Sequence, residues 1–431
     1  MAKKEIEHTT TMLGSQNMKS SQRMVSVVEP YELPEGWKWC RLGDVAEIIM
    51  GQSPAGTSMT ENQNDIAFIG GASDMGEELP NISRYTSEPT KLSKRDDVIV
   101  CIRATLGRPI FSDGIYCLGR GVAGIRSETL MKEYIKYGFL NFEQYLYDKA
   151  TGSTFLQVSS KYLNEMPFPL PPTLAEQQRI VNRIESMFAK LDEAKEKAQN
   201  VVDGFETRKA AILHKAFTGE LTAKWRKENG VSDDSWVEKT IGEIASKITD
   251  GEHSTPKRVE QFCGFYLLSA RNIHNGEIRL DDVDFVTENE YERIRKRCNP
   301  NKNDILISCS GSIGRVCVIQ DNNKYVMVRS AAMVKLLQDN PFYIAYMLQS
   351  FNVQQQIEKT KKQSCQANLF LGAIKQLLIP VPTLPEQVEI VRILDIIIEK
   401  ENKAKQAAET VMEQIDLLKK SILARAFRGE L

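Results

Sequence analysis

Apolar residues recur at spacings of three and four along two long stretches of the chain, with charged residues between them. The first stretch follows a proline-rich segment at residues 169–172 and runs to Gly219, and the second follows residues 380–382 and runs to Gly429. Such spacing produces an apolar seam on a helix, and proline and glycine are common just outside helix ends. Each stretch therefore predicts one long helix of about 65 Å. The predicted seams comprise Ile180, Ile184, Met187, Leu191, Ala194, Ala198, Val201 and Phe205 in the first, and Val391, Leu394, Ile398, Ala404, Ala408, Val411, Ile415, Leu418 and Ile422 in the second.

The two helical stretches are copies of each other. TLAEQ at residues 173–177 recurs as TLPEQ at residues 383–387, and AILHKAFTGEL at residues 211–221 recurs as SILARAFRGEL at residues 421–431. Both matches lie 210 positions apart, without insertion or deletion between them. Similar amphipathic helices can bury their seams against each other about a pseudo-two-fold axis, so the repeat predicts an antiparallel pair.

Each helical stretch follows a region of short apolar runs separated by glycine, serine and asparagine, which is typical of strands and turns. These regions share a weaker repeat, in which residues 37–46 resemble 236–245 and residues 97–108 resemble 304–315. The predicted fold class is α+β. It consists of two mixed α/β domains with β-rich cores, separated by two long helices that pack as an antiparallel coiled coil, in a pseudo-two-fold internal repeat.

Composition places the chain among globular proteins, with 431 residues, 42% of them hydrophobic and 26% charged. No apolar run is long enough to cross a membrane, and the polar start lacks a secretory signal, so we expect a cytoplasmic protein. The eight cysteines have neither C-x-x-C spacing nor a zinc-finger histidine, which favours reduced thiols over metal ligands or disulfides. The net charge of −1 gives no overall electrostatic attraction to nucleic acid, and this counts against a nucleic-acid-binding function.

Four motifs follow one another in a fixed order and are followed by a second copy. They are LPEGW at residues 33–37, LGDVA at 42–46, the helix opening PLPPTLAEQQRIV at 169–181 and the helix end AFTGEL at 216–221. This order, over about residues 33–431, resembles the specificity subunit of type I restriction-modification enzymes. DGEHSTP at residues 250–256 is similar to the Asp-Gly-Thr-His-x-Thr-Pro loop common in these proteins. Glu252 stands where that loop has threonine.

This resemblance implies a non-catalytic, sequence-specific DNA-binding subunit that recognises a bipartite asymmetric site and directs adenine methylation or restriction by its partners. The implied partners are duplex DNA, two methyltransferase subunits and restriction/translocase subunits. S-adenosylmethionine, ATP and magnesium are expected in those partner subunits, with no cofactor and no metal in this chain. The implied regions are a target recognition domain at 31–171, a helical spacer at 172–221, a linker at 222–235, a second recognition domain at 236–381 and a second spacer at 382–431. Residues 1–30 fall outside the resemblance, and their polar composition, rich in serine, glutamine and methionine, predicts a flexible extension.

Candidate DNA-contacting residues are those polar and basic side chains, with the glycines beside them, that stand in predicted turns, because such groups bind phosphates and base edges. For the Gly-Arg pairs a solvated turn is an equal alternative, and His253 can equally stabilise its own turn. The candidates are Gln52, Ser53, Arg103, Arg108, Ser159, Ser160 and Lys161 in the first domain, and Asp250, Gly251, His253, Thr255, Lys257, Arg271, Asn272, Ser310, Ser312, Arg315 and Asn368 in the second.

Four further polar residues stand at the starts of the predicted helices, namely Glu176, Gln177, Glu386 and Gln387. Acidic and amide side chains at this position commonly cap a helix and interact favourably with its dipole. The alternative is contact with the methyltransferase subunits. We predict contact with the methyltransferase subunits as the functional role of these residues, with helix capping as the structural alternative.

Other functions are compatible with parts of the pattern. A methyltransferase acting alone would need an Asn/Asp-Pro-Pro-Tyr/Phe motif, which the sequence lacks, and the G-x-G-x-x-G spacing at residues 119–124 is weak by itself. A coiled-coil scaffold that binds proteins fits the helices and the near-neutral charge. The recognition subunit of a related restriction enzyme that cuts near its site is a third alternative.

Overall fold

The computed structural model describes residues 29–152, 155–361 and 368–431. The predicted flexible extension at residues 1–30 lies almost entirely outside the described residues. The chain forms two compact units: Met1–Ala194 with Glu413–Leu431 make unit 1, and Lys195–Met412 make unit 2. This division passes through the two predicted helical spacers and not at their ends.

Unit 1 is built from short strands and helices, followed by the start of a long helix. Its strands are β1 (Lys38–Arg41), β2 (Glu47–Met50), β3 (Met59–Thr60), β4 (Ile66–Ile69), β5 (Tyr85–Thr86), β6 (Val98–Cys101), β7 (Gly107–Phe111), β8 (Cys117–Leu118), β9 (Val122–Arg126) and β10 (Pro167–Leu170). Its helices are α1 (Leu42–Val45), α2 (Lys132–Asn141), α3 (Glu143–Lys149), α4 (Ser160–Asn164) and α5 (Leu174–Asp203), with single 3-10 turns at Gly56–Ser58 and Ala72–Asp74.

Three sheets form the β part of unit 1. An antiparallel sheet has the order β2-β9-β6-β7, a second sheet has the order β3-β5-β4-β8 with β4 and β8 parallel, and β1 pairs with β10. Strand β6 is buried along its whole length, because both faces of its sheet are covered. The core on one face includes α2 and residues near the end of the chain, such as Phe427.

Unit 2 begins inside the same long helical stretch. Its helices are α6 (Phe205–Phe217), α7 (Ala223–Asn229), α8 (Ile241–Ile244), α9 (Glu288–Arg295), α10 (Pro341–Leu348), α11 (Phe351–Lys361), α12 (Leu371–Lys375) and α13 (Leu384–Phe427), with 3-10 turns at Glu220–Thr222, Asp233–Ser235 and Ala270–Asn272. The part of α13 from Glu413 onward belongs to unit 1. Its strands are β11 (Val237–Thr240), β12 (Ala245–Asp250), β13 (Phe265–Leu268), β14 (Ile273–His274), β15 (Glu277–Ile278), β16 (Asp284–Val286), β17 (Ile305–Ser308), β18 (Val316–Val318), β19 (Tyr325–Met327), β20 (Ala331–Leu336) and β21 (Leu378–Val381).

The sheets of unit 2 repeat those of unit 1. The four-stranded order β12-β20-β17-β18 corresponds to β2-β9-β6-β7, β11 pairs with β21 as β1 does with β10, and the parallel pair β13-β19 corresponds to β4-β8. A small β14-β15 hairpin and an edge strand β16 on the β13 sheet complete the set. The predicted α+β class and the internal repeat are therefore confirmed.

The first predicted long helix is interrupted, whereas the second, α13, is continuous over 44 residues. Between α5 and α6 the backbone at Gly204 stays close to helical, at φ −77° and ψ −7°. The side chain of Arg208 donates to the carbonyl of Val201 at 2.8 Å. Glycine is a poor helix former, and a side chain bonded to a helix carbonyl competes with the regular backbone ladder. Our prediction of a single helix here was wrong at this one turn.

The predicted seam of α13 is also wrong in part. Val411 and Leu418 are 40% and 50% exposed, although the heptad pattern assigned them to the seam. Half-buried positions include Glu401 and Lys405, which lie beside the buried Ala408. A straight helix has 3.6 residues per turn, so its buried stripe drifts away from a strict repeat of 3.5. The seam therefore includes long charged side chains that bury their aliphatic stems.

Antiparallel pairing of the helices is present within each unit. In unit 1, Arg179 near the start of α5 donates to the carbonyl of Leu431 at 2.8 Å, and Asp192 farther along α5 pairs with Lys419. In unit 2, Arg208 pairs with Glu401 at 2.7 Å. Residue numbers rise on one helix as they fall on the other, which confirms the predicted antiparallel packing.

The predicted linker at residues 222–235 contains helix α7 and a buried ion pair. Arg226 on α7 has a side chain only 9% exposed, and it pairs with Glu386 at 2.7 Å and with Asp233 at 2.8 Å. The linker is therefore anchored to the start of α13. Sequence composition did not reveal this, because the partner of Arg226 lies 160 positions away.

Candidate nucleic-acid interface

One edge of the four-stranded sheet in unit 1 carries a tight loop at residues 51–54, here called glycine loop 1. The N–H of Gly51 donates to the carbonyl of Val122 at 3.0 Å, and the N–H of Gln52 donates to that of Leu118 at 2.8 Å. A Cβ atom on Gly51 would lie 2.1 Å from the carbonyl oxygen of Gly119. Only glycine permits this close approach, so the loop is held rigidly at the sheet edge.

The predicted side chains of glycine loop 1 are exposed, and one of them contacts a neighbouring arginine. Gln52 and Ser53 are both exposed, and Ser53 Oγ accepts the N–H of Arg120 at 3.2 Å. Arg120 belongs to the turn between β8 and β9 and is itself exposed. The structure therefore adds an arginine to this edge that sequence reasoning missed.

The turn between β6 and β7 reaches the same edge. The N–H of Ile102 donates to the carbonyl of Gly121 at 2.9 Å, and the N–H of Val158 donates to that of Ile102 at 2.9 Å. The guanidinium of Arg103 lies 5.8 Å from the ring centre of Phe155, which is 57% exposed. This loop offers a cation and an exposed aromatic ring, both of which nucleic-acid readers use.

The other predicted residues of unit 1 divide into two groups. Ser159, Ser160 and Lys161 are exposed at the start of α4, directly after the contact between Val158 and Ile102, so they lie near Arg103. Arg108 is also exposed, but its guanidinium donates to two backbone carbonyls of its own unit, at 3.3 and 3.5 Å. Its side chain is therefore already held by protein contacts.

The corresponding loop of unit 2, residues 251–254, is called glycine loop 2. The N–H of Gly251 donates to the carbonyl of Ala331 at 3.2 Å, and the N–H of Glu252 donates to that of Met327 at 2.8 Å. A Cβ on Gly251 would lie 2.2 Å from the Met327 oxygen. The two glycine loops thus have the same backbone anchorage but different side chains.

An ionic cluster surrounds glycine loop 2. Asp250 accepts from Arg297 Nη2 at 2.6 Å and lies 2.7 Å from His253 Nε2, which is 3.0 Å from the same Arg297 nitrogen. Burial acts to raise the pKa of Asp250, but the hydrogen bonds from Arg297 and His253 outweigh it and lower the pKa. Asp250 therefore stays ionised and orients the imidazole, which is 54% exposed.

Glu252 stabilises the loop from within. Its Oε1 accepts the N–H and the hydroxyl of Ser254, at 2.9 and 2.6 Å, and its Oε2 lies 3.2 Å from Arg293. The hydrogen bonds from Ser254 lower the pKa of Glu252. The carboxylate at this position therefore performs the turn-closing role that a hydroxyl could also perform, and it pairs with an arginine in addition.

A cleft of about 590 Å³ opens beside glycine loop 2. Four predicted residues line it, and an isolated backbone pairing joins two of them, Ser310 and Asn368. Sequence reasoning missed Arg329, which is exposed, and Phe370, which is 60% exposed. The lining residues are Asp250, His253, Cys309, Ser310, Arg329, Ser330, Asn368, Leu369, Phe370 and Leu371.

Several predicted residues of unit 2 do not line this cleft. Asn272 is only 2% exposed, and its amide is used by internal hydrogen bonds, including one from Nδ2 to the carbonyl of Asp282 at 3.0 Å. Our assignment of Asn272 to DNA contact conflicts with this burial, because the side chain has no surface to offer. Arg271 is half-exposed and pairs with Asp284 at 3.2 Å.

The remaining predicted residues of unit 2 are surface groups. Thr255 and Lys257 are exposed beyond glycine loop 2, and the N–H of Lys257 donates to Glu290 at 3.0 Å. Ser312 is exposed and Arg315 is partly exposed in the turn between β17 and β18. The Arg315 guanidinium has no hydrogen bond or ion pair within the described part of the chain. Contact of these groups with DNA stays a prediction.

The four predicted subunit-interface residues have mainly internal roles. Gln177 and Gln387 are each 1% exposed, and their Oε1 atoms accept the N–H of Met131 and of Asn340, respectively, at 2.9 and 2.8 Å. Glu386 is fully buried. Only Glu176, whose side chain is 27% exposed, presents a charged group at the surface. Contact with a methyltransferase stays a prediction, but three of the four side chains are removed from the surface.

Within residues 29–152, 155–361 and 368–431, none of the helices combines the length and the apolar character that a membrane crossing requires. No group of three or more histidine, cysteine, aspartate or glutamate residues there is arranged to hold a metal ion. The seven described cysteines are free thiols, and Cys365 lies outside the described residues.

Comparison with known proteins identifies the class. A family model described as the type I restriction modification DNA specificity domain matches residues 34–202 and 233–410, one match for each copy of the repeat. The matches cover most of the chain, and the chain belongs to this family. The family predicted from the sequence motifs is confirmed.

Individual relatives agree with this assignment. The EcoBI specificity subunit of a type I restriction enzyme from Escherichia coli is 24% identical over 71% of this chain and 67% of the relative. Across three curated relatives, this chain spans 45% to 67% of the relative's own length.

Two solved structures share the fold. A chain from a structural study of assembly and conformational transition in a type I R-M system aligns with a TM-score of 0.74 at 20% identity, covering 93% of this chain and 100% of that one. The HsdS subunit from Thermoanaerobacter tengcongensis aligns with a TM-score of 0.60 at 20% identity, covering 93% and 99%. At this identity the likeness concerns the fold.

Proposed function

We propose that this chain is the DNA-recognition subunit of a type I restriction-modification complex, with each unit reading one half of a bipartite, asymmetric site. One observation carries the proposal: the same strand order and loop anchorage hold different side chains at the same sheet edge. Where glycine loop 1 presents Gln52 and Ser53, glycine loop 2 presents His253. A common scaffold with unlike side chains is what two different half-sites require.

Catalysis is assigned to partners. The chain is proposed to be non-catalytic and to direct adenine methylation or restriction by two methyltransferase subunits and by restriction/translocase subunits. S-adenosylmethionine, ATP and magnesium would bind to those subunits and not to this one. The family match supports the assignment, because the family is defined by DNA specificity.

The decisive experiment is genome-wide mapping of adenine methylation in a methylation-free host. The host expresses the partner methyltransferase either alone or together with this chain. A split, asymmetric motif that appears only when this chain is present supports the proposal and reveals both half-sites. A stable complex that produces no new motif contradicts it and favours the scaffold function.

Arg315→Ala is expected to weaken binding of the methyltransferase complex to its DNA site by roughly 1 to 3 kcal/mol, as for other arginine contacts to phosphate or guanine. The guanidinium is partly exposed and has no other partner in the described residues, so its loss leaves the fold intact. Fluorescence anisotropy with a labelled duplex measures the change. Lys302→Ala, which removes the same charge before β17, is the control. Equal affinity of wild type and the folded Arg315 variant would contradict the prediction.

A further inference from the structure

The turn that precedes β9 in unit 1 and the turn that precedes β20 in unit 2 have the same hydrogen-bonded framework. Five backbone hydrogen bonds have matching connectivity, although the two turns share little sequence. In unit 1 they run from Gly51 to Val122, Gln52 to Leu118, Gly119 to Ile69, Val122 to Gly119 and Ile102 to Gly121, at 3.0, 2.8, 2.8, 3.1 and 2.9 Å. In unit 2 they run from Gly251 to Ala331, Glu252 to Met327, Val328 to Leu268, Ala331 to Val328 and Cys309 to Ser330, at 3.2, 2.8, 3.0, 3.1 and 2.8 Å.

This framework places Arg120 and Arg329 at the same position. Both side chains are exposed, and the N–H groups of both donate into the adjacent glycine loop, to Ser53 Oγ at 3.2 Å and to the Glu252 carbonyl at 3.0 Å. The backbone of each arginine is thus fixed on both sides, whereas its guanidinium has no hydrogen bond, ion pair or ring contact with any described residue.

Free guanidinium groups are not the rule in this protein. Many arginines are paired with carboxylates, among them Arg84, Arg126, Arg226 and Arg293. An arginine whose backbone is already fixed loses little further conformational freedom when its guanidinium binds an anion. Because the guanidinium is unpaired, no existing ion pair has to break. The two positions are therefore suited to an anionic ligand outside the chain.

We propose that Arg120 and Arg329 are a matched pair of contacts to the DNA phosphate backbone, one for each half-site. This rests on the proposed DNA-recognition function. In a repeat of this kind, groups that differ between the two units read the half-sites that differ, whereas a group that is identical and identically placed contacts what every half-site shares. The shared element of duplex DNA is its phosphate backbone.

The side chains next to Arg120 and Arg329 differ between the two units, whereas the arginine is the same in both. Arg103 in unit 1 corresponds to Ser310 in unit 2, since each follows the residue that donates to the turn before β9 or β20. Ser53 similarly corresponds to His253. These positions change in size, charge and donor pattern, as base-reading positions should. Arginine is present at the position of Arg120 and Arg329 in both units.

The test compares Arg120→Ala, Arg329→Ala and the double variant in the assembled methyltransferase complex. The probe is a duplex that carries the motif methylated by the wild-type complex. Each single change should weaken binding about tenfold and reduce the slope of log K against log salt by about 0.9, with roughly twice that reduction in the double variant. The methylated motif should stay the same, because phosphate contacts carry no sequence information.

The control variants, Arg95→Ala and Lys324→Ala, each remove one positive charge at the end of a strand that is remote from the arginine turns. Arg95 lies before β6 in unit 1, and Lys324 lies before β19 in unit 2. Both variants should leave the salt slope unchanged. Arg329→Lys should restore most of the affinity, because an ammonium still neutralises a phosphate although it cannot replace a bidentate contact to guanine.

Two results would overturn the inference. Unchanged affinity and salt slope in the folded alanine variants would show that the arginines do not contact DNA. A motif that relaxes at one base pair, without rescue by lysine, would make them base readers. Either result leaves the recognition function standing if the wild-type complex still methylates a split motif, whereas absence of any motif for the wild type would refute that function itself.

Discussion

Glu386→Gln is expected to destabilise unit 2 by about 3 kcal/mol, the magnitude found when one partner of a buried ion pair is removed. Glu386 is wholly buried, and its Oε1 accepts from Arg226 at 2.7 Å, Thr222 at 2.6 Å and Trp236 at 3.2 Å. Its Oε2 has no hydrogen-bond partner among the residues that the structure describes, so the carboxylate already carries some desolvation penalty. Without the charge, the buried Arg226 retains a neutral hydrogen bond to Thr222 at 3.1 Å, and its one remaining carboxylate partner among the described residues is Asp233.

The repeat supplies a matched control for this prediction. Glu176 occupies the same position in the first copy, but it pairs with Arg179 one turn away, with side chains 27% and 50% exposed. Surface pairs of this kind contribute at most about 1 kcal/mol, so Glu176→Gln should have little effect. Hydrogen–deuterium exchange resolved by peptide measures the local free energy of opening in each unit. Comparable losses for both substitutions would contradict the assignment of a buried pair to Glu386.

The helical repeat was predictable from sequence because helix packing preserves register. An offset of 210 positions without gaps relates both ends of the two copies, and the same offset relates Gln177 to Gln387, which are buried alike. What the periodicity could not predict was the exact buried stripe. Val411 and Leu418 are exposed because the buried stripe of a straight helix drifts from a strict heptad. The break at Gly204 accompanies the hydrogen bond from Arg208 to the carbonyl of Val201, which a spacing rule does not contain.

The candidate site was predictable only in its loops. Glycine followed by short polar residues marked both glycine loops, but Arg120 and Arg329 were missed. Gly51 and Gly251 are 200 positions apart, whereas the two arginines are 209 apart. Insertions in the loops of the β regions change the offset from element to element, so no single shift aligns the two units. Only the hydrogen-bonded framework reveals the equivalence.

Polar residues were the least predictable group. Asn272 and Glu386 are both buried, and each is satisfied by partners that only the fold brings near. Sequence alone does not distinguish a polar side chain that faces a ligand from one that closes an internal hydrogen bond. The distinction depends on burial, which for these residues is decided by elements distant in the chain.

Phe427→Ala is expected to destabilise unit 1 by about 4 kcal/mol, the usual magnitude for removing a fully buried aromatic ring. The ring has no exposed surface and lies 4.8 Å from Tyr134, 6.1 Å from Phe142 and 6.2 Å from Phe168, measured between ring centres. The backbone carbonyl of Phe427 also accepts from the Tyr31 hydroxyl at 3.1 Å. Residues near the end of the chain thus complete the core of the first unit, and hydrogen exchange in peptides of α2 should rise sharply.

Phe217→Ala provides the comparison, because Phe217 holds the same position in the first copy of the helix. Its ring is only partly buried and lies 5.7 Å from Tyr343 in unit 2, so about 2 kcal/mol should be lost there. Each substitution should raise exchange mainly in its own unit: Phe427→Ala in α2 of unit 1, and Phe217→Ala in α10 of unit 2. Faster exchange of α10 in the Phe427 variant, with α2 unaffected, would contradict the assignment of the C-terminal residues to the core of unit 1.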